Sequence, residues 1–174
     1  MLALLKAFFA PAAPRRQDGF DDDGLRLAAA ALLVRVASVE SAKLANKRAN
    51  LHAVIKRRFK LDDATAAQLI EQATEADRRA VDLYNFTSRL SRSLDEEGRR
   101  RIIEMMWEIV HVGGTVGDLE QNFVWRAADL LGVPARERIA LRRRVAASAA
   151  NPKFAPQPPA SADTKFGFKP ALES

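Results

Sequence analysis

The residues best suited to chemistry in this 174-residue chain are two acids at the start of an apolar segment, Asp118 and Glu120. Together with Glu108, they could offer carboxylate oxygens to a divalent cation, since a hard cation such as Ca²⁺ prefers six to eight oxygen ligands. The alternative is that both acids only charge the N-terminus of a helix, where negative side chains are favoured. Two residues this close on a helix also face different ways.

A second group of acids, Asp82, Glu104 and Glu108, could serve in general acid–base catalysis if the fold brings them together. Ion pairs on the surface are the simpler interpretation of the same residues. The three aspartates at positions 21–23 are open to a similar choice. They could hold a cation, or they could cap the helix that follows them.

Several kinds of site are excluded by residue types. The chain has no cysteine, which excludes thiol catalysis, disulfides and cysteine-ligated zinc. His52 and His111 are the only histidines, and each lies in an apolar stretch, so we expect packed or surface side chains and no ordinary zinc site. No Gly-x-Ser-x-Gly motif occurs, and the glycines of segment 113–117 lack the strand and the lysine of a phosphate-binding loop.

The charge of the chain is unevenly distributed. It carries 28 Lys and Arg against 22 Asp and Glu, a net charge of +6. Residues 1–60 hold 12 basic and 5 acidic side chains, residues 61–134 hold 8 and 14, and residues 135–174 hold 8 and 3. An acidic middle argues against a nucleic-acid partner. The basic runs at 56–60 and 142–144 could contact phosphates, but a solvated helix face is the favoured interpretation.

Apolar residues recur with the helical period, and no stretch alternates with period two, so we predict an all-α, compact bundle without a sheet. The uninterrupted pattern over 63–93 is too long for one helix, and we expect a break near 76–80 or at 85–87. The predicted helices lie near 24–38, 43–58, 63–75, 80–93, 95–112, 117–131 and 134–148.

Two of these helices carry predictions about burial. The helix near 43–58 turns Leu51 and Ile55 towards the core, and its other face is predicted to be solvated and basic. The basic residues assigned to that face are Lys47, Arg48, Lys56, Arg57 and Arg58. On the helix near 95–112, Trp107 is flanked by Ile103, Met106 and Val110 in a strongly apolar stretch, and we predict that it is buried.

The helical domain is predicted to span residues 24–148. Residues 1–23 are predicted to form a short helix and a linker, and residues 149–174 a disordered, proline-rich tail. We expect a cytoplasmic protein, because no segment has the roughly 20 apolar residues of a membrane span and no basic region leads the N-terminus. The apolar residues 1–9 are expected to pack on the bundle or on a second copy, with weak peripheral membrane contact as the alternative.

An internal repeat relates two segments, 32–59 and 107–134, at an offset of 75 residues. Each segment consists of an apolar helix, a short turn and an amphipathic helix. The pattern predicts a duplicated helical hairpin.

Three stretches within about residues 24–145 resemble the TerB-like family, which is named for tellurite resistance. They are LAAAALLVRVA, VDLYNFTSRLSRSLDEEGRRRIIEMMWEIVHVGG and LEQNFVWRAADLLGV. The succession of DLYNFT, EMMWEIV and ADLLGV is hard to obtain by chance. The resemblance implies an all-α fold of about seven helices with two pseudo-symmetric hairpins. It also implies, in some members, an acidic divalent-metal site built from the two turns.

The chain departs from the family pattern at that implied metal site. Where the family has Asp-Gly, this sequence has Ser-Val at 38–39 and Gly-Gly at 113–114. The later glutamate of the pattern is retained as Glu120, whereas Ala45 stands at its counterpart in the first half. Glu120, with Asp118 beside it, is therefore a reduced set of metal ligands. We predict no tight binding of Ca²⁺, Mg²⁺ or Zn²⁺.

The sequence therefore favours a non-enzymatic TerB-like module that acts through a protein partner or a second copy of itself. A role in tellurite or stress resistance is implied by the resemblance alone. One alternative is a divalent-metal sensor that uses the reduced acidic site around Glu120. A second alternative is an unrecognised enzyme that depends on carboxylates. No cofactor is expected, and a divalent metal is the one possibility left open.

Overall fold

The computed structural model describes residues 22–40, 44–112 and 115–150, without the side chains of Leu44 and Ala45. These residues form seven helices and no strand, as the periodicity predicts. Every helix boundary lies within about four residues of its predicted position. The helices are α1 (Asp23–Ser38), α2 (Leu44–Phe59), α3 (Asp63–Arg79), α4 (Tyr84–Ser93), α5 (Glu96–Val110), α6 (Asp118–Leu130) and α7 (Ala135–Ala149).

Helix α1 is the centre of the bundle and contacts α2, α3, α4, α5 and α6. Four consecutive alanines, residues 28–31, are fully buried in it. Their small side chains let the surrounding helices approach closely. The Asp22 carboxylate caps α1 by accepting the backbone N–H of Gly24 at 2.7 Å. Of the two roles considered for the aspartates at 21–23, Asp22 therefore has that of a helix cap.

The long apolar pattern is broken between Arg79, where α3 ends, and Tyr84, where α4 begins. Ala80 leaves the helical conformation with a ψ of 129°, which agrees with the predicted break near 76–80. The alternative break at 85–87 is wrong, because these residues lie inside α4. The new helix is favoured by Asp82, whose carboxylate accepts the N–H of Tyr84 at 3.0 Å.

The second half repeats the plan of the first, with α5 packed on α6 and α7 packed on α5. The predicted burial of Trp107 is confirmed, since none of its surface is exposed. Gly132 ends the turn after α6 with a φ of +70°, a conformation that glycine adopts without steric cost.

The two hairpins, α1–α2 and α5–α6, correspond at an offset of 73 residues, at which the buried residues Lys47, Leu51, Val54 and Ile55 of α2 match the buried residues Glu120, Val124, Ala127 and Ala128 of α6. The capping residues Asp22 and Asp95 are 73 apart, and each helix begins at the residue that follows its cap. The offset of 75 inferred from the sequence therefore differs by two residues. Under the structural register, Glu120 corresponds to Lys47 and not to Ala45.

Some predictions concern residues outside the described part of the chain. The short helix and linker proposed for residues 1–21, and the tail from residue 151 onwards, belong to this group. So do the glycines at 113–114, where the resemblance noted in the sequence implies an Asp-Gly pair. The domain boundaries therefore stay predictions.

Candidate functional site

The turn before α6 holds the two acids that the sequence singled out as metal candidates. Glu120 is fully buried, and its Oε2 accepts the backbone N–H of Gly117 at 3.0 Å. This contact is the glutamate half of a capping box, in which the third helical residue reaches back to the residue that caps the helix. Asp118 is exposed to solvent. The two acids therefore face different environments, and the turn does not combine them into one ligand pair.

The partner of Glu120 is Lys47, on the opposite hairpin. Its Nζ forms an ion pair with Glu120 Oε1, and neither side chain has any exposed surface. The prediction that Lys47 lies on a solvated face is wrong. The reason is helical spacing: Lys47 precedes Leu51 by four residues and therefore shares its buried face. The spacing from Leu51 already indicates that Lys47 is buried. Lys47 was nevertheless assigned to the solvated face because its side chain is charged.

A buried ion pair is stable only when each charge is well compensated, because removing a charge from water costs several kcal/mol. Glu120 receives the ammonium of Lys47 on one oxygen and a backbone N–H on the other. It also lies in the first turn of α6, where the helix dipole favours negative charge. The carboxylate is therefore fully engaged within the protein.

A third acid, Glu40, reaches the same turn from the segment after α1. A Cβ on Gly117 would overlap the Glu40 carboxylate, so this close approach requires glycine. The carboxylates of Glu40 and Glu120 thus both contact Gly117. Glu40 was not among the predicted site residues, because the sequence repeat places the first acidic turn at residues 38–39, two positions too early in the structural register.

These residues suit an ammonium better than a divalent cation. The buried carboxylate already has a positive partner, and the second acid that contacts Gly117 is Glu40. A divalent ion would have to displace Lys47 or lie beside its positive charge. In the parts of the chain that the structure describes, no group of three or more His, Asp or Glu side chains is arranged to hold a metal.

The second group of candidate acids lies on α5, where Glu104 and Glu108 are one helical turn apart. Arg58 pairs with both, at 3.5 Å from Glu104 Oε2 and in close contact with Glu108 Oε1. Arg57 lies 2.7 Å from Glu108 Oε2, and Arg144 lies 3.0 Å from Glu104 Oε1. All four carboxylate oxygens therefore face a guanidinium.

The Arg58 guanidinium is half-buried, and burial by itself would lower its pKa. The hydrogen bond and the charge of Glu108, followed by those of Glu104, outweigh burial and raise the pKa above its ordinary value. Asp82, the third acid of the predicted catalytic group, lies instead at the turn between α3 and α4 and caps Tyr84. The structure thus brings together two of the three.

An open cleft of about 360 Å³ adjoins this cluster, between α5 and α7. Arg100 bridges the two helices through Glu137, with an Nε–Oε2 distance of 2.6 Å. The hydrogen bond from Arg100 lowers the pKa of Glu137. The sequence analysis missed this pair, because residues 37 positions apart on different helices share no local pattern. The cleft is lined by Glu97, Arg100, Glu104, Glu137, Ala140, Leu141 and Arg144.

The histidines contact the backbone. His52 Nε2 lies 3.3 Å from the carbonyl oxygen of Asp63, and His111 Nδ1 lies 2.8 Å from that of Trp107. The His111 ring also meets the Trp107 indole edge to face, at 5.6 Å between centroids. Trp125 is half-buried and packs against the same indole at 6.4 Å.

The basic runs have partners within the protein. In the run 56–60, Lys56 pairs with Asp63 at 2.8 Å, besides the contacts of Arg57 and Arg58 with α5. In the run 142–144, Arg142 lies 5.5 Å from the centroid of the Trp107 ring. These contacts agree with a helix face engaged in intramolecular pairing. Among the described residues, no helix combines the length and the apolar character required to cross a bilayer.

Comparison with known proteins identifies the fold's family. Neither the curated proteins nor the solved structures include a match to this chain. The family described as tellurite resistance protein TerB matches residues 26–143, a range that begins in α1 and ends in α7. The match covers more than half of the chain and coincides with the seven-helix bundle, so the chain belongs to the TerB family.

Proposed function

We propose that this domain is a non-enzymatic helical module, related to tellurite resistance, which acts in the cytoplasm by binding another protein. The relation to tellurite rests on membership of the TerB family. The observation that supports a non-enzymatic role is the internal pairing of its candidate carboxylates. Glu120 is paired with Lys47, and Glu104 and Glu108 are paired with arginines.

Catalysis requires a group within reach of a substrate. Glu120 has no exposed surface, so a substrate cannot reach it without local opening. The side chains of Glu104 and Glu108 are 16% and 18% exposed, and arginines lie against their oxygens. This pairing favours a structural role over an acid–base role.

The turn between α3 and α4 is our candidate for the partner surface. Val81 is 95% exposed and Tyr84 is 63% exposed. They are two of the four large apolar side chains that are exposed in the described residues, and they lie three positions apart. An apolar pair rimmed by polar residues is the kind of feature that partner proteins cover.

Site-specific photo-crosslinking in the native host tests this surface. A photoreactive residue at position 81 is expected to give one discrete protein adduct, identified by mass spectrometry. The matched control is position 68, where Gln68 is exposed on α3. The same adducts at both positions, or none at position 81, would contradict the proposed surface.

A growth assay separates a binding module from an enzyme. We expect a deletion strain to become more sensitive to tellurite and the native gene to restore its growth. A Glu104→Gln/Glu108→Gln variant that is folded is expected to restore growth equally well, because the module needs no catalytic carboxylate. Loss of restoration by this folded variant would support the carboxylate enzyme instead.

The metal sensor remains the second candidate, because the carboxylates of Glu40 and Glu120 both contact Gly117. Calorimetric titration of the purified chain with Ca²⁺, Mg²⁺ and Zn²⁺ distinguishes it from the binding module. We expect no stoichiometric site in the native protein. A tight site that Glu120→Gln abolishes would replace the module with the sensor.

A further inference from the structure

We propose that Lys47 is a built-in cation: its ammonium takes the place of a metal ion beside Glu120, in the turn that Glu40 also reaches, and a carboxylate at position 47 would convert this turn into a Ca²⁺ site. The positive charge that neutralises Glu120 in this turn comes from the protein itself. This proposal goes beyond the proposed function and does not depend on it.

Charged side chains from three separate elements of the chain are gathered near one turn. Glu40 follows α1, Lys47 lies on α2, and Glu120 lies in the first turn of α6. Gly117 is the common contact of the two carboxylates: it donates its N–H to Glu120, and its lack of a side chain admits Glu40. Carboxylates gathered from separate elements onto one glycine repel each other unless a cation lies among them.

The cation in this turn is the ammonium of Lys47. An ammonium is a compact, strongly hydrated point charge in water, but here it is completely buried and forms an ion pair with Glu120. An ammonium and a hard metal ion seek the same ligand, a carboxylate oxygen. The buried carboxylate of Glu120 is stable only with a positive partner, and Lys47 is that partner.

The pseudo-symmetry of the two hairpins also bears on this turn. In the structural register of 73 residues, Lys47 occupies the position equivalent to Glu120. Opposite charges thus stand at equivalent positions and form an ion pair with each other. Lys47→Glu would place a second buried carboxylate against Glu120, while Glu40 contacts the same Gly117 that Glu120 contacts. Three carboxylates with water can satisfy Ca²⁺, which accepts flexible geometry.

The test is thermal unfolding of Lys47→Glu in EDTA and in millimolar CaCl₂. In EDTA the variant is expected to be strongly destabilised, because buried carboxylates face each other. Calcium is expected to raise its Tm by roughly 5 °C or more, as for a ligand well above its dissociation constant. The native protein is expected to show no calcium-dependent shift, because Lys47 already fills the position.

Arg48→Glu is the matched control. It makes the same change of charge at the next position of α2, on an exposed side chain. We expect the same Tm for this variant with and without calcium. In the Lys47→Glu background, Glu120→Gln is expected to abolish the calcium response.

A second variant, Lys47→Gln, is measured in the same way in case Lys47→Glu does not fold. It removes the ammonium without adding a charge, and we expect a smaller rise of Tm with calcium. The proposal is overturned if neither Lys47 variant responds to calcium, including the case in which both stay unfolded in its presence. It is also overturned if the native protein or Arg48→Glu responds as strongly as Lys47→Glu.

Discussion

Two ionic regions connect the halves of this bundle, and they differ mainly in their access to water. The pair of Lys47 and Glu120 joins α2 to α6 with no exposed surface on either side chain. The cluster of Glu104, Glu108 and their arginines joins α2 and α7 to α5 near the surface, where the Arg57 side chain is 50% exposed. Both regions pair basic residues of α2 with acids of the second hairpin.

Burial, rather than the number of ion pairs, determines how much the loss of one charged partner changes the free energy of unfolding. In the surface cluster, water and a second arginine can replace a lost partner, so each pair contributes little. In the buried pair, neither side chain has exposed surface through which solvent could replace the partner, and a single charge left behind is strongly unfavourable. The smaller region is therefore expected to be the more sensitive one.

The largest effect is expected from Lys47→Met. This change leaves the Glu120 carboxylate buried without its positive partner, and removal of one member of a buried pair typically costs about 3–5 kcal/mol. Urea unfolding followed by circular dichroism measures the loss. A loss under about 1 kcal/mol would show that Glu120 finds water or protonates easily, which would remove the contrast between the two regions.

A smaller effect is expected from Glu108→Gln in the surface cluster. Arg58 keeps Glu104 as a partner, and Arg57 is half in water, so we expect a loss of about 1 kcal/mol. The same urea titration applies. If Glu108→Gln costs as much as Lys47→Met, burial is not the property that distinguishes the regions.

The smallest effect concerns the exposed acids and their pH dependence. The pKa of Asp62 is lowered by the backbone N–H of Thr65, and that of Asp63 by the hydrogen bond from Lys56. The pKa of Glu137 is lowered by the hydrogen bond from Arg100. A carboxylate whose pKa is lower in the folded state stabilises the protein above its unfolded pKa, and this contribution is lost as the pH falls through the folded pKa.

Stability is therefore expected to change little from pH 7 to about 5 and to decline below about pH 4. Urea midpoints measured across this range follow the change. Asp62→Asn keeps an acceptor for the cap but cannot titrate, so its decline with acid should be shallower than that of the native protein. A native protein that became more stable in acid would contradict these shifts.

The helices were predictable because their signals are local. Apolar spacing placed the helices, with capping aspartates before α1, α3 and α5, and the break before Tyr84 needed only the excessive length of the pattern. The burial of Trp107 followed from its apolar neighbours on one helix face. Each of these features depends on residues within a few turns of one another.

The site was only partly predictable because its partners are distant in the sequence. Glu120 was identified, but its partner Lys47 was placed in water, although its spacing from Leu51 puts it on the buried face. Glu40 was missed through a shift of two residues in the alignment of the hairpins. The pairing of Arg100 with Glu137 depends on the packing of α7 on α5, which no local pattern reveals.

A double-mutant cycle on Lys47 and Glu120 tests most directly whether this buried pair neutralises the acidic turn. The variants are Lys47→Met, Glu120→Gln and the double substitution, compared with the native protein by urea unfolding. Glutamine keeps an oxygen for the Gly117 N–H, so the double variant loses both charges and retains the cap. We predict that the double variant is more stable than either single variant, because no charge is left unpaired. Losses that simply add, with the double variant the least stable of all, would contradict the account.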